Sequence, residues 1–194
     1  MVSSHHTSRT DWITAVCTLL IACTGIVALA YAHWQLKQDH DEAQVERLLG
    51  FVRQYDQEPL VSYRKLYAEK RLANVTDPDS EYQLLDFFET VGDLTDKGYL
   101  DVSDVWENFA GDVEPLYSDT RDMIEQQRNP TFYNHFVGLA QRMQAMEKSN
   151  GADPTPYSKE ELRGYWQDES EIIAGAPALH RKRGKPASSV ERPQ

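Results

Sequence analysis

The spacing that could do the most chemistry lies between Asp93 and Asp104. Laid on a twelve-residue EF-hand loop, Asp93 takes the first ligand position, Thr95 the third, Gly98 the turn, Asp101 the ninth and Asp104 the last. A loop of that kind wraps calcium in oxygen atoms. Two letters argue against it. Lys97 puts a cation at the fifth position, and Asp104 is too short to replace the bidentate Glu easily. A helix that stops at Gly98 and restarts from Asp101 as N-cap gives the same letters with no ion, and this capped corner is the expectation. The set Asp93, Thr95, Asp101 and Asp104 is kept as the metal-binding alternative, an extracytoplasmic calcium module. No cofactor is expected.

Asp86, Glu89, Asp93 and Asp96 form a second pattern, recurring along one helical face. Carboxylates so placed could be general acids, bases or ligands, and a membrane-bound enzyme using the acidic helices is the other alternative. Di-iron bundles, however, place Glu-x-x-His on facing helices, and the chain has no such pair. A solvated acidic face is expected. His40 and His135 lack the spacing of zinc helices, and there is no G-x-S-x-G and no phosphate-cradling glycine loop. Catalytic residues are expected to be none.

The chain carries a formal charge of -11 with a pI near 4.9. Residues 77–125 hold fifteen acids against only Lys97 and Arg121. Nucleic acid is excluded as a partner, because phosphate binding needs a basic surface. An anionic leaflet would repel this lobe, which points to a solvated face or a basic partner. The basic cluster His180, Arg181, Lys182, Arg183 and Lys185 could meet anionic lipid, fold back on the acids, or serve as a solubilising tail.

Positioning these residues requires an anchor and a bundle. Residues 13–32 are uncharged and apolar, flanked by Trp12, Tyr31 and Trp34. A run of about 20 residues rising roughly 1.5 Å each matches a bilayer core of about 30 Å, with aromatic rings at its interfaces. The rival is a signal peptide cut after Ala28, Leu29 and Ala30, but the run exceeds an ordinary h-region. Thr14, Thr18, Ala22 and Gly25 share one face of small residues, a possible homo-oligomer contact. Cys17 and Cys23, the only cysteines, both lie in the run, so no disulfide braces the rest. Lys37, Arg47 and Arg53 follow the run while Arg9 and the amino terminus precede it, which favours a cytoplasmic domain.

The fold expected is all-α: a single transmembrane helix continuing into a stalk, then a compact multi-helix bundle and a disordered tail. The boundaries are a disordered leader at 1–11, the span at 12–34, the helical domain at 35–174 and the basic tail at 175–194. Val45, Leu48, Leu49, Val52 and Tyr55 stripe the stalk. A helix follows Pro59 to about Leu72, and another starts at Asp77 with Pro78 and ends at Gly98. The next begins at Asp101, with Gly111 and Pro115 expected to break or kink it before Arg128. Phe132, Phe136, Leu139, Met143 and Met146 mark a further helix after Asn129 and Pro130. Residues 149–156 are a loop, and Ser158 and Glu161 form a capping box for the last helix, with Leu162, Trp166 and Ile173 inward.

Taken together, the string at 85–92, the corner Gly98, Tyr99, Leu100 and Asp101, and Val105 and Trp106 followed by Phe109 resemble a bacterial family of small single-span membrane proteins with a helical domain of unknown function. The resemblance covers roughly residues 12–147. It implies an anchor followed by a cytoplasmic helical domain and brings no activity or catalytic residue. The function expected is that of a membrane-anchored domain acting by protein interaction, as scaffold or regulator, with the lipid bilayer and an unidentified protein as partners.

Overall fold

The computed structural model describes residues 7–127, 132–151 and 156–175. Among the described residues there are six helices and no strand: α1 (Thr7–Tyr55), α2 (Leu60–Leu72), α3 (Pro78–Asp96), α4 (Val102–Gln126), α5 (Asn134–Ser149) and α6 (Lys159–Gly175). The chain divides into two units, Met1–Ala43 and Gln44–Gln194.

The first unit is the larger part of α1. Helix begins at Thr7, so residues 7–11, expected in an unstructured leader, are helical; the rest of that leader lies outside the described residues. The side chains of the apolar run are exposed, Leu19 at 64%, Ile21 at 72% and Leu29 at 73%. Residues 35–42 are also exposed, and Leu48 is the first core residue of α1.

In the second unit, Leu48, Val52 and Tyr55 are buried, whereas Val45 and Leu49 of the same expected stripe are about half exposed. The end of α1 therefore packs on one side only. Its Tyr55 joins Phe87, Phe88 and Phe109 in a ring cluster with centroids 5.1–6.0 Å apart, and Phe136 stacks on Phe88 at 6.2 Å. Burying each such side chain contributes roughly 1.5–3 kcal/mol. Leu60, Tyr67 and Ala68 of α2, Leu84, Leu85 and Val91 of α3, Val105, Val113 and Leu116 of α4, Leu139 and Met143 of α5, and Trp166 of α6 are buried in the same core.

Local chemistry sets the ends of these helices. Asp77 accepts from the Ser80 N–H at 3.2 Å with Pro78 in the first turn. At the far end of α3, Gly98 has φ +72°; its N–H bonds Thr95 O and that of Tyr99 bonds Leu94 O, a Schellman stop. Asn74 does the same for α2, with φ +54°. Ser158 and Glu161 bond reciprocally at 2.8 and 3.2 Å, the capping box of α6.

The expected break in α4 is absent: the helix is continuous through Gly111 and Pro115. The clash of a helical proline falls on the carbonyl four residues before it, which here belongs to Gly111, the most permissive backbone available. Pro115 itself is buried, so packing offsets the lost hydrogen bond. Asn129 and Pro130, residues 152–155 of the expected loop, and the tail after Gly175 lie outside the described residues.

Candidate functional site

The acidic row of α3 is a group of titratable side chains with defined partners, exposed at Asp86 and Asp96 and half-buried at Glu89 and Asp93. Each carboxylate meets the start of α5. Asp86 accepts from the Tyr133 hydroxyl at 2.9 Å, and Glu89 accepts from the Phe136 N–H at 2.7 Å. Asp93 lies 3.5 Å from His135 Nε2, and Asp96 lies 2.6 Å from His135 Nδ1 and also pairs with Arg142. Between them Gly92 lets the helices touch: a Cβ there would sit 2.3 Å from the His135 carbonyl oxygen.

The row has this role because α5 cannot cap itself. Its N-cap, Tyr133, sits in the left-handed region at φ +54° and offers no side-chain cap. Free N–H groups in a first turn need acceptors, and Glu89 supplies one from the neighbouring helix. Burial, then the hydrogen bond to Asp86, pushes the Tyr133 phenol up. The hydrogen bond to Asp96 raises His135. Slight burial acts to raise Asp96, but hydrogen bonds from His135 and Arg142 outweigh it and hold the carboxyl below its ordinary value.

The proposed calcium letters do other work. Lys97 Nζ lies 2.7 Å from Asp93 Oδ2, so the cation at the fifth loop position occupies a ligand candidate. The Thr95 hydroxyl donates to Val91 O within its own helix. Asp101 Oδ1 accepts from the N–H groups of Ser103 and Asp104 at 2.8 and 3.4 Å, the N-cap of α4. Asp104 is raised by burial and by neighbouring Asp101 and Glu107. Among the described residues, no three His, Cys, Asp or Glu side chains are grouped to hold a metal. Around the corner, Gln44 donates to Gly98 O at 2.8 Å, and the Arg47 guanidinium lies over the Tyr99 ring, which ties α1 to this turn.

Two charged clusters inside the domain carry no signature in the sequence. Arg64 of α2 bonds Glu169 of α6 through Nη2 at 2.5 Å and Nε at 2.8 Å, reaches Asp56 at 3.2 Å, and stacks over Tyr55 at 4.0 Å. Burial works against its charge, yet Tyr55, Glu169 and Asp112 together hold it above the ordinary range. Beside it a cavity of about 10 Å³, room for one water at most, is lined by Leu84, Asp112, Leu116 and Tyr165. In the other cluster Arg71 pairs with Glu81 at 2.9 Å, and its Nε lies 2.9 Å from Asp119 without hydrogen-bond alignment. Asp119 accepts from the buried Tyr67 hydroxyl at 2.7 Å. Burial, then Asp119, pushes the Tyr67 phenol well up.

On α1, the Thr18 hydroxyl donates to Thr14 O at 2.8 Å, so this member of the small-residue face is satisfied within its own helix. A Cβ at Gly25 would meet nothing. Compared with protein-family models, curated proteins and solved structures, the chain has no match in any of the three.

Proposed function

We propose that the chain is a single-pass membrane protein whose helical domain acts by protein interaction, as a scaffold or regulator. The observation that carries this reading is the exposure of the apolar run in α1. Trp12, Leu19, Ile21, Val27, Leu29 and Trp34 are each at least 58% exposed. Leaving such a run in water forfeits roughly 25 cal/mol for every Å² it could bury, and a bilayer is the solvent it fits. Helix continuity past Ala30 supports a retained span over a cleaved leader. The small excess of Lys37, Arg47 and Arg53 over Arg9 and the amino terminus supports a cytoplasmic domain. This is the architecture that the resemblance implies.

An interaction role is supported by where the charges go. The carboxylates best spaced for acid–base work, on α3, are engaged in holding α5, and the Arg64 and Arg71 clusters join helices inside the domain. Outward-facing acids such as Asp79, Glu107, Asp122 and Glu125 leave a surface suited to a basic partner. Crosslinking in the native membrane followed by mass spectrometry tests the reading. Recovery of a reproducible protein partner on the domain after Gln44 is expected; crosslinks confined to the chain itself would contradict it. Protease accessibility in intact and opened cells tests the cytoplasmic placement.

A further inference from the structure

The first turn of α5 meets α3 through an imidazole with a carboxylate at each ring nitrogen. His135 Nδ1 lies 2.6 Å from Asp96 Oδ2, and Nε2 lies 3.5 Å from Asp93 Oδ1. The Nδ1–Asp96 contact is a hydrogen bond, whereas Nε2 and Asp93 make only a charge contact; a neutral ring keeps at most the first, and the imidazolium keeps both. The backbone here is pressed against Gly92, which leaves the ring next to its acids.

We propose that His135 is a proton-controlled latch on the α3–α5 seam: charged, it clamps the first turn of α5 onto Asp93 and Asp96; neutral, it lets that turn open. Phe136, Leu139 and Met143, all fully buried, keep the rest of α5 in place, so only the residues before Phe136 open. The opening is therefore local.

The groups around the ring stand on two helices. From α3, Glu89, Asp93 and Asp96 favour the charged ring, while Lys97 draws on Asp93. From α5, Arg142 draws on Asp96. α4 packs against α5 through Tyr117 and Phe136, and among the described residues the ion pairs of His135 are with α3 alone. Because the hydrogen bond to Asp96 raises His135, the clamp is fully present below the unfolded imidazole value and is lost as pH rises through the higher folded one. The latch opens with mild alkalinity.

Amide exchange of the full chain, compared between about pH 6 and about pH 8.5 after correction for intrinsic rates, reads this turn directly. Protection of amides 137–139, which bond helical carbonyls before Phe136, is expected to fall by about threefold or more at the higher pH, while α2 and α6 hold theirs. In His135→Gln, which stays neutral throughout, the fall disappears; in Asp96→Asn it moves to lower pH. An unchanging wild type, or the same response in His135→Gln, would overturn the proposal.

Discussion

Arg64 and Glu169 join α6 to α2 from inside the domain, whereas Asp93, Asp96, His135 and Arg142 join α5 to α3 at its surface. The side chains of the first pair are 10% and 2% exposed; those of the second group are 30–42% exposed. Both seams also bury aromatic rings, Trp166 edge-on to Tyr67 at 4.9 Å in one and Phe136 over Phe88 in the other. The difference lies in the solvent around the charges. In the interior, an ion pair has already lost its hydration, so removing one partner strands the other. At the surface, water and salt screen the pair, which makes it weak but responsive to pH and ionic strength.

The largest expected effect is on the buried seam. Glu169→Ala should lower unfolding free energy by about 3–5 kcal/mol, read from urea transitions, because it leaves the Arg64 guanidinium without its main counter-charge. The double change Arg64→Met with Glu169→Leu should recover much of that loss. A single-mutant cost near that of a surface pair would erase the distinction between the seams. Gly92→Ala comes next: its Cβ would force the His135 backbone away, at about 1–3 kcal/mol. Its predicted mark is lost protection in α5, with α6 unchanged.

Asp96→Ala should cost about 0.2–1 kcal/mol, and the difference from wild type should shrink in roughly 1 M salt. A cost untouched by salt would mean that this seam behaves as an interior. The smallest effect belongs to Lys97→Ala, which removes only an exposed pair with Asp93 one turn away. No shift in melting midpoint is expected; a clear drop would give the corner a structural part beyond its Gly98 stop and Asp101 cap.

The helix ends were legible in the sequence because their chemistry is local. Asp77 with Pro78, Gly98, Asp101, and Ser158 with Glu161 each act within three residues of where they stand. The partners of the acidic row were not legible. Asp86 and Glu89 reach residues 47 positions later, Asp96 reaches His135 39 positions later, and Arg64 and Glu169 are 105 positions apart. An acid at every third or fourth position has the same spacing whether it faces water or a neighbouring turn.

One signal was present. Gly92 lies in the middle of that row, and a glycine inside a helical pattern marks a close approach. His135 and Arg142, two turns apart, supply the matching basic face. Pro115 shows the converse, since tertiary packing carried α4 through a residue that local propensity marks as a break.

The central claim is that α1 holds this domain to a bilayer as an uncut helix. Alkaline-carbonate extraction of native membranes, followed by intact mass measurement of the recovered chain, tests it most directly. The account predicts that the chain stays in the carbonate-resistant pellet with residues 13–32 still attached, and that a chain starting at Gln44 is released. Release of the full chain into the supernatant, or a mass that begins after Ala30, would contradict it.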